Sequence, residues 1–179
     1  ALEAKIYLDG GAYASLSARV LFQSMFATIG PYYIPNVYVE GYVVFTNKVP
    51  SGAFRGFGIP QGIFAAETQM NELANKLKMD PVQLRLKNLV EPNGYTSWGQ
   101  KLSSDVGVKE CLISAINKFK PSPTPTSKNK VRGIGLALTI HGQSLGPYGM
   151  DVGSAIVELA PEGKVIIKIA LSEYGQGIH

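Results

Sequence analysis

Hydrophobic positions change period several times along this chain, and each change marks an element. Ala1-Leu-Glu-Ala-Lys-Ile-Tyr7 starts as strand. Val37 to Thr46 (VYVEGYVVFT) has the valine and aromatic content of a second strand, which Asn47 to Ser51 ends with turn formers and a proline. A helix begins at Pro60, whose missing N–H costs nothing in a first turn. Ile63, Ala66, Met70, Leu73 and Leu77 then recur at steps of three and four and predict one apolar face, with Glu67, Asn71, Asn75 and Lys78 on the polar remainder. A short helix follows, in which Asp80 caps the first turn, Pro81 takes its first position and Gln83 can return a bond to the cap. A further helix is predicted from Val108 to Phe119, with Cys111, Leu112, Ala115, Ile116 and Phe119 as its stripe.

Pro121-Ser-Pro-Thr-Pro-Thr-Ser-Lys-Asn-Lys130 breaks this pattern with prolines at alternate positions and reads as a linker or long loop. Beyond it the period becomes that of strands. Gly133 to Ile140 is apolar, Ser154 to Leu159 reads as strand, Pro161-Glu-Gly163 as a turn, and Lys164 to Leu171 as the second arm of a hairpin with one mostly buried face. The organisation expected is an α+β fold with mixed sheets and packed helices: residues 1–120, a linker at 121–130, and a β-rich portion at 131–179. No repeat of fixed period appears.

Between the second strand and the long helix lies Gly52-Ala-Phe-Arg-Gly-Phe-Gly-Ile-Pro-Gln61, a glycine bend that carries two aromatics and an arginine into a helix start. Free first-turn amides and the positive end of the helix dipole favour a phosphate or oxo group there, and Gly56 and Gly58 allow close backbone approach. A P-loop would end in Gly-Lys-Ser/Thr, and this bend ends in Gly-Ile-Pro-Gln. The dinucleotide fingerprint also fails, since Gln61 stands at its third glycine and no second strand with a ribose-binding acid follows. A tight turn with core phenylalanines would explain the glycines, but an arginine buried between them would need a carboxylate, carbonyls or a ligand anion.

The 179 residues carry a net charge of +4 with 45% hydrophobic and 17% charged residues, an ordinary globular composition. Apart from Lys128, Lys130 and Arg132 the cations are scattered, which argues against a nucleic-acid face. Cys111 is the only cysteine, so this sequence supplies no disulfide, iron–sulfur site or zinc cluster, and a reducing, cytoplasmic location is expected. No apolar run reaches a membrane span. His141, in a loop after an apolar stretch, and His179, the last residue, have no spacing that pairs them with metal ligands. Trp98 and the tyrosines read as packing or interface groups.

Ala53-Phe-Arg-Gly-Phe-Gly-Ile-Pro-Gln61, followed by a helix containing Glu67, closely resembles the signature of the molybdenum hydroxylases, the xanthine dehydrogenase and aldehyde oxidase family. Asp9-Gly-Gly-Ala-Tyr13, Tyr33-Ile-Pro-Asn-Val37, Tyr42 to Pro50, Met79-Asp-Pro81 with Arg85-Leu-Lys-Asn-Leu89, and Tyr174-Gly-Gln-Gly-Ile-His179 are similar to the family's segments in the same order. The resemblance spans essentially the whole chain. It implies a slice of a larger molybdopterin-binding domain, in which a molybdenum ion on a pyranopterin dithiolene hydroxylates a carbon beside a ring nitrogen or in an aldehyde. Water supplies the oxygen, and electrons leave through iron–sulfur clusters and FAD on partner domains or subunits of an oligomeric enzyme.

Carried over by position, the resemblance implies that Ala53, Arg55 and Gly56 contact the cofactor, with Phe54 and Phe57 facing the substrate. Gly175, Gln176 and Gly177 would form a second cofactor loop, and no residue here would ligate the metal directly. The family's general base, a glutamate in a glycine-rich context, and its first cofactor loop are expected outside these residues, so the chain is expected to be a piece of a larger subunit, inactive alone. Glu67 and Glu173 are the tempting substitutes for the base, and a solvated or structural role is the expectation for both. The place where purine-handling relatives carry an orienting arginine falls on Gln23, with Arg19 one turn away, which disfavours xanthine and leaves aldehydes and azaarenes open. A cofactor-free module that keeps the fold is the alternative.

Overall fold

The computed structural model describes residues 1–121, 129–142 and 152–178. Its elements are β1 (Leu2–Gly11), α1 (Ser17–Ala27), β2 (Val37–Phe45), α2 (Ile59–Leu77), α3 (Pro81–Asn88), α4 (Val108–Lys118), β3 (Ala155–Leu159) and β4 (Val165–Ile169). They form two compact units, Ala1–Ile140 and His141–His179. One parallel and one antiparallel sheet with packed helices make the α+β fold expected. Most of the proline-rich linker, at 122–128, and the residues 143–151 and 179 lie outside the described residues.

In the first unit β1 and β2 pair in parallel, Leu2 opposite Val37 and Tyr7 opposite Tyr42, with a register shift between Asp9 and Gly11. Parallel neighbours need a crossover, and α1 provides it. It lies close over β2 because Gly41 has no side chain: a Cβ there would stand 2.7 Å from Met25 Sδ and 2.9 Å from the Leu21 methyls. Gly62 does the same for α2, where a Cβ would fall 2.5 Å from the Ser24 carbonyl and 2.6 Å from Ala27 Cβ. Small residues therefore decide which face of α2 goes inward.

That face differs from the expected stripe. Ile59, Gly62, Ile63, Ala66, Glu67 and Ala74 are buried, whereas Leu73 and Leu77 are 44% and 54% exposed. Glu67, expected on the polar face, is inside. In α4 only Leu112 is buried, and Cys111, Ala115, Ile116 and Phe119 are exposed. Two apolar clusters hold the unit: Ala27, Ile59 and Ile63 with Ile140, and Tyr32, Leu89, Leu112 and Leu138 with Leu136, Met70 and Leu86 around them. Residues 133–140 form no strand. They run as irregular chain that inserts Leu136 and Leu138 into the core.

Asp80 caps α3 as its sequence predicts, accepting from the Val82 N–H at 2.6 Å and the Gln83 N–H at 3.4 Å, with Pro81 in the first turn. Trp98 packs edge to face on Phe26 at 5.3 Å. In the second unit β3 and β4 form the expected antiparallel hairpin, Ala155 opposite Ile169. Its expected buried face is not present: both strands are exposed along their whole length. A two-stranded ribbon has no second layer of its own against which to bury a face.

Candidate functional site

Because β1 and β2 are parallel, the loops that follow them leave from the same edge of the sheet, the carboxyl edge at which open α/β units bind ligands. The two loops are laced together. Ala12 N–H donates to the Lys48 carbonyl at 3.1 Å, Thr46 N–H to Gly11 at 3.0 Å and Ser51 N–H to Gly10 at 3.0 Å. The Ser17 hydroxyl donates to the Ser51 carbonyl at 3.1 Å. Asp9 accepts from Lys48 Nζ, the Thr46 hydroxyl and the Gly11 N–H. The Lys48 ammonium foremost, then Thr46 and Gly11, hold its carboxyl down at about 2.

From this laced base the bend rises into α2. Gly56, Phe57 and Gly58 have φ of 86°, 51° and 93°, three left-handed residues in succession. Phe57 pays for that conformation with strain, since its Cβ crowds its own backbone there. The Phe57 N–H donates to Phe54 at 2.8 Å and the Ile59 N–H to Gly56 at 2.9 Å. Both glycines answer to protein neighbours as well as to φ: a Cβ on Gly58 would lie 2.2 Å from the Val20 carbonyl, and one on Gly56 2.6 Å from the Pro60 ring. Close packing alone therefore suffices to explain Gly58.

Packing does not explain Arg55 and Phe54. Phe54 is 82% exposed, Phe57 is half-buried and Ala53 is exposed. Burial was the reason to expect a partner for Arg55; the side chain is instead exposed, and it makes no hydrogen bond or ion pair among the described residues. The amides of Gly56, Gly58 and Gln61 likewise have no partner among the described residues. The bend thus carries one guanidinium and several N–H donors within a few residues, a donor set that suits an anionic, oxygen-rich ligand.

The second glycine loop, in the other unit, behaves differently. The Glu173 carboxylate accepts from the amides of Gly175, Gly177 (3.1 Å) and Ile178 (2.6 Å), and these bonds, Ile178 first, hold its pKa below the usual range. Gln176 folds back on its own loop, its Oε1 accepting from the Tyr174 N–H at 2.6 Å and its Nε2 donating to the Ser172 carbonyl at 2.8 Å. Gly175 and Gly177 have φ of 108° and 76°. Both glutamates expected to be solvated or structural are structural in this sense: Glu173 staples its loop, and Glu67 is buried.

Glu67 is the centre of a polar cluster that the sequence pattern does not reveal. Its Oε2 accepts from Arg85 Nη2 at 2.8 Å, Arg85 Nε at 3.0 Å and the Leu138 N–H at 2.9 Å, while Oε1 accepts from the Tyr32 hydroxyl. Arg85 also donates to Asn71 Oδ1 at 2.9 Å and to the Pro81 carbonyl at 3.1 Å. The two charged side chains are 6% and 0% exposed. Burial, then the Glu67 carboxylate, raises the Tyr32 phenol above its ordinary range. On α1, Gln23 is half-buried and Arg19 exposed. An open depression of about 420 Å³ lined by Tyr33, Lys87, Glu91 and Tyr95 shares no residue with the bend, and no chemistry converges on it. His141 donates to or accepts from nothing beyond its neighbour Gly142 among the described residues.

Residues 1–89 and 112–179 each match a family model described as a molybdopterin cofactor-binding domain. The chain is 40% identical, over 98% of its length and 24% of the relative's, to a probable xanthine dehydrogenase subunit of Bacillus subtilis. It is 42% identical, over 66% of its length and 28% of the relative's, to the nicotinate dehydrogenase large molybdopterin subunit of Eubacterium barkeri. Quinoline 2-oxidoreductase from Pseudomonas putida superposes with a TM-score of 0.66 at 27% identity, covering 96% of this chain and 24% of that one. Fold and matches together define a molybdopterin cofactor-binding protein. The chain belongs to the molybdenum hydroxylases, the family of xanthine dehydrogenase and aldehyde oxidase. It spans about a quarter of the length of these relatives.

Proposed function

We propose that this chain forms one wall of the molybdenum site in an oxidoreductase that hydroxylates an N-heterocycle or an aldehyde, with electrons passing to iron–sulfur and FAD groups on partner domains or subunits. The observation that carries the reading is the bend itself: an exposed Arg55 and amides that have no partner among the described residues, beside Phe54 and Phe57, at the carboxyl edge of β1 and β2. When bound, the molybdenum cofactor supplies oxidative hydroxylation with water as the oxygen source. Arg55 and the amides of Gly56 and Gly58 would hold its anionic groups, and Ala53 would line the same wall. Phe57, kept at a strained φ of 51°, would present its ring to a planar substrate. The general base would come from residues outside this chain.

In the second unit, Gly175 and Gly177 would bring backbone close to the cofactor, and Gln176 would reach it only by releasing Tyr174 and Ser172. Gln23, a neutral side chain on α1, favours a heterocycle such as a nicotinate-like ring or an aldehyde over xanthine. The lone cysteine agrees with a cytoplasmic location. No helix among the described residues is long and apolar enough to cross a membrane.

The test uses the full-length subunit expressed with cofactor-maturation factors. Molybdenum and pterin should copurify with it, and their absence would favour a cofactor-free structural module. Arg55→Ala should lower kcat/KM on the order of 100-fold. Being exposed, it should change unfolding stability by no more than about 0.5 kcal/mol. Phe57→Ala should likewise lose far more turnover than stability, and equal losses in both would return the bend to a purely structural role.

A further inference from the structure

A buried ion pair contributes little net stability, because desolvating both charges offsets their attraction, and apolar residues of the same volume would hold the fold as well. The Glu67–Arg85 pair therefore calls for another explanation than stability. What the carboxylate does uniquely is fasten four pieces of chain at one point: Tyr32 after α1, α2 itself, Arg85 on α3, and the Leu138 N–H in the irregular stretch behind the proline-rich linker. Each of these bonds is directional, and together they fix the roll of α2 about its axis.

The bend is the direct continuation of that helix. Gly58 is its N-cap and Ile59 its first residue, so Glu67 lies about 12 Å down the same axis. On the other side, Gly58 and Gly62 seat α2 against the Val20 and Ser24 carbonyls with no room for a methyl group. Contact of that kind, with Ile59 and Ile63 packed on Ala27, selects the face of α2 that meets α1. The polar cluster adds directional bonds from a second side, and these hold the helix at one angle within that face.

We propose that Glu67 is a positioning residue: through Arg85, Tyr32 and the Leu138 amide it sets the roll of α2 and so aims Arg55 and Phe57. The function assigned to those two residues rests on the reading above; the mechanical claim about the bend does not. Hydrogen exchange tests the mechanical claim, using the full-length protein with and without cofactor. The probes are the Phe57 and Ile59 amides, which are bonded across the bend, and the amides of β1 and β2 serve as the internal reference.

Glu67→Gln should speed exchange at Phe57 and Ile59 roughly tenfold while the β1–β2 amides keep their rates. Should that variant not fold, Glu67→Gln with Arg85→Met removes both charges, keeps an acceptor for the Leu138 N–H and fills the space of the arginine stem. In that double variant thermal stability should return while the bend stays loose, and kcat/KM should remain on the order of 10-fold to 100-fold down. Unchanged bend protection in a folded variant overturns the proposal. So does loosening shared equally with β1 and β2, or a double variant that recovers bend protection along with stability. A wild-type protein that holds no molybdenum strikes the functional reading alone, since the exchange result stands without cofactor.

Discussion

The bend at 54–58 and the loop at 173–178 both set glycines at positive φ, yet they dispose of their backbone donors in opposite ways. At the bend, packing absorbs the glycines: Gly58 faces the Val20 carbonyl and Gly56 the Pro60 ring, and the Gly56 and Gly58 amides have no partner among the described residues. In the second loop a Cβ on Gly177 would meet nothing within 4 Å among the described residues, but the amides are consumed by Glu173. Glycine content therefore does not by itself make an anion site. What matters is whether a resident carboxylate already sits in the nest. By that criterion the bend keeps the donors that the proposed anion site needs, and the Gly-Gln-Gly loop is self-satisfied.

The largest effect that can break this comparison comes from adding one methyl group to each loop. Gly58→Ala forces a left-handed alanine and drives its Cβ into the Val20 carbonyl, so it should cost about 3 kcal/mol or more. Gly177→Ala meets only the backbone strain and should cost roughly 1 kcal/mol. Urea unfolding of the full-length protein, with hydrogen exchange to localise the loss, reads both. Similar costs would mean that α1 gives way at Val20, and the contrast drawn between a packed and an open loop would fail.

How much of this could be read from the sequence depends on the range of the interaction. The strand composition of β1 and β2 and the Asp80 cap are set by residues a few places apart, and each was legible, whereas the parallel pairing of Leu2 with Val37 was not. The bend was legible as a motif of nine residues, and the family followed from it. Glu67 was not, because a carboxylate in company with Asn71, Asn75 and Lys78 reads as a solvated face, and its partners are 18, 35 and 71 residues away. Leu73 and Leu77 misled for the converse reason: periodicity marks a face but cannot say that Gly62 brings the neighbouring helix to one beside it. The apolar stretch 133–140 has strand composition, yet its Leu138 N–H is taken by a side chain rather than by a ladder. Glu173 sits two residues before its loop, and that spacing was the signal by which its staple could have been found.

A smaller effect sharpens the second half of the comparison. Glu173 is depressed because its ionised form holds loop amides, so the stabilisation is present above the ordinary glutamate pKa of about 4.3 and disappears as pH falls through the lowered folded value. Amide shifts of Gly177 and Ile178 should be flat at neutral pH and move together in acid. Glu173→Gln should abolish that titration and speed exchange at both amides even at pH 7. A flat acid titration in the wild type would show that the carboxylate does not hold the loop.

The smallest effect is at Asp9, and it separates the two regions most finely. This carboxylate also braces a loop, but its main partner is the Lys48 ammonium rather than backbone, and its pKa lies at about 2. The same sign applies: the brace is complete above about 4 and fades as pH falls toward 2. Asp9 and Lys48 are exposed, so salt should weaken their attraction, whereas the backbone bonds to Glu173 carry no such screened partner. Raising ionic strength should therefore move the Asp9 midpoint upward and leave that of Glu173 nearly in place. The Gly11 and Gly177 amides report the two titrations in one sample. Equal salt shifts would mean that both loops are braced by long-range charge, and the bend's base would lose its distinction from a self-satisfied nest.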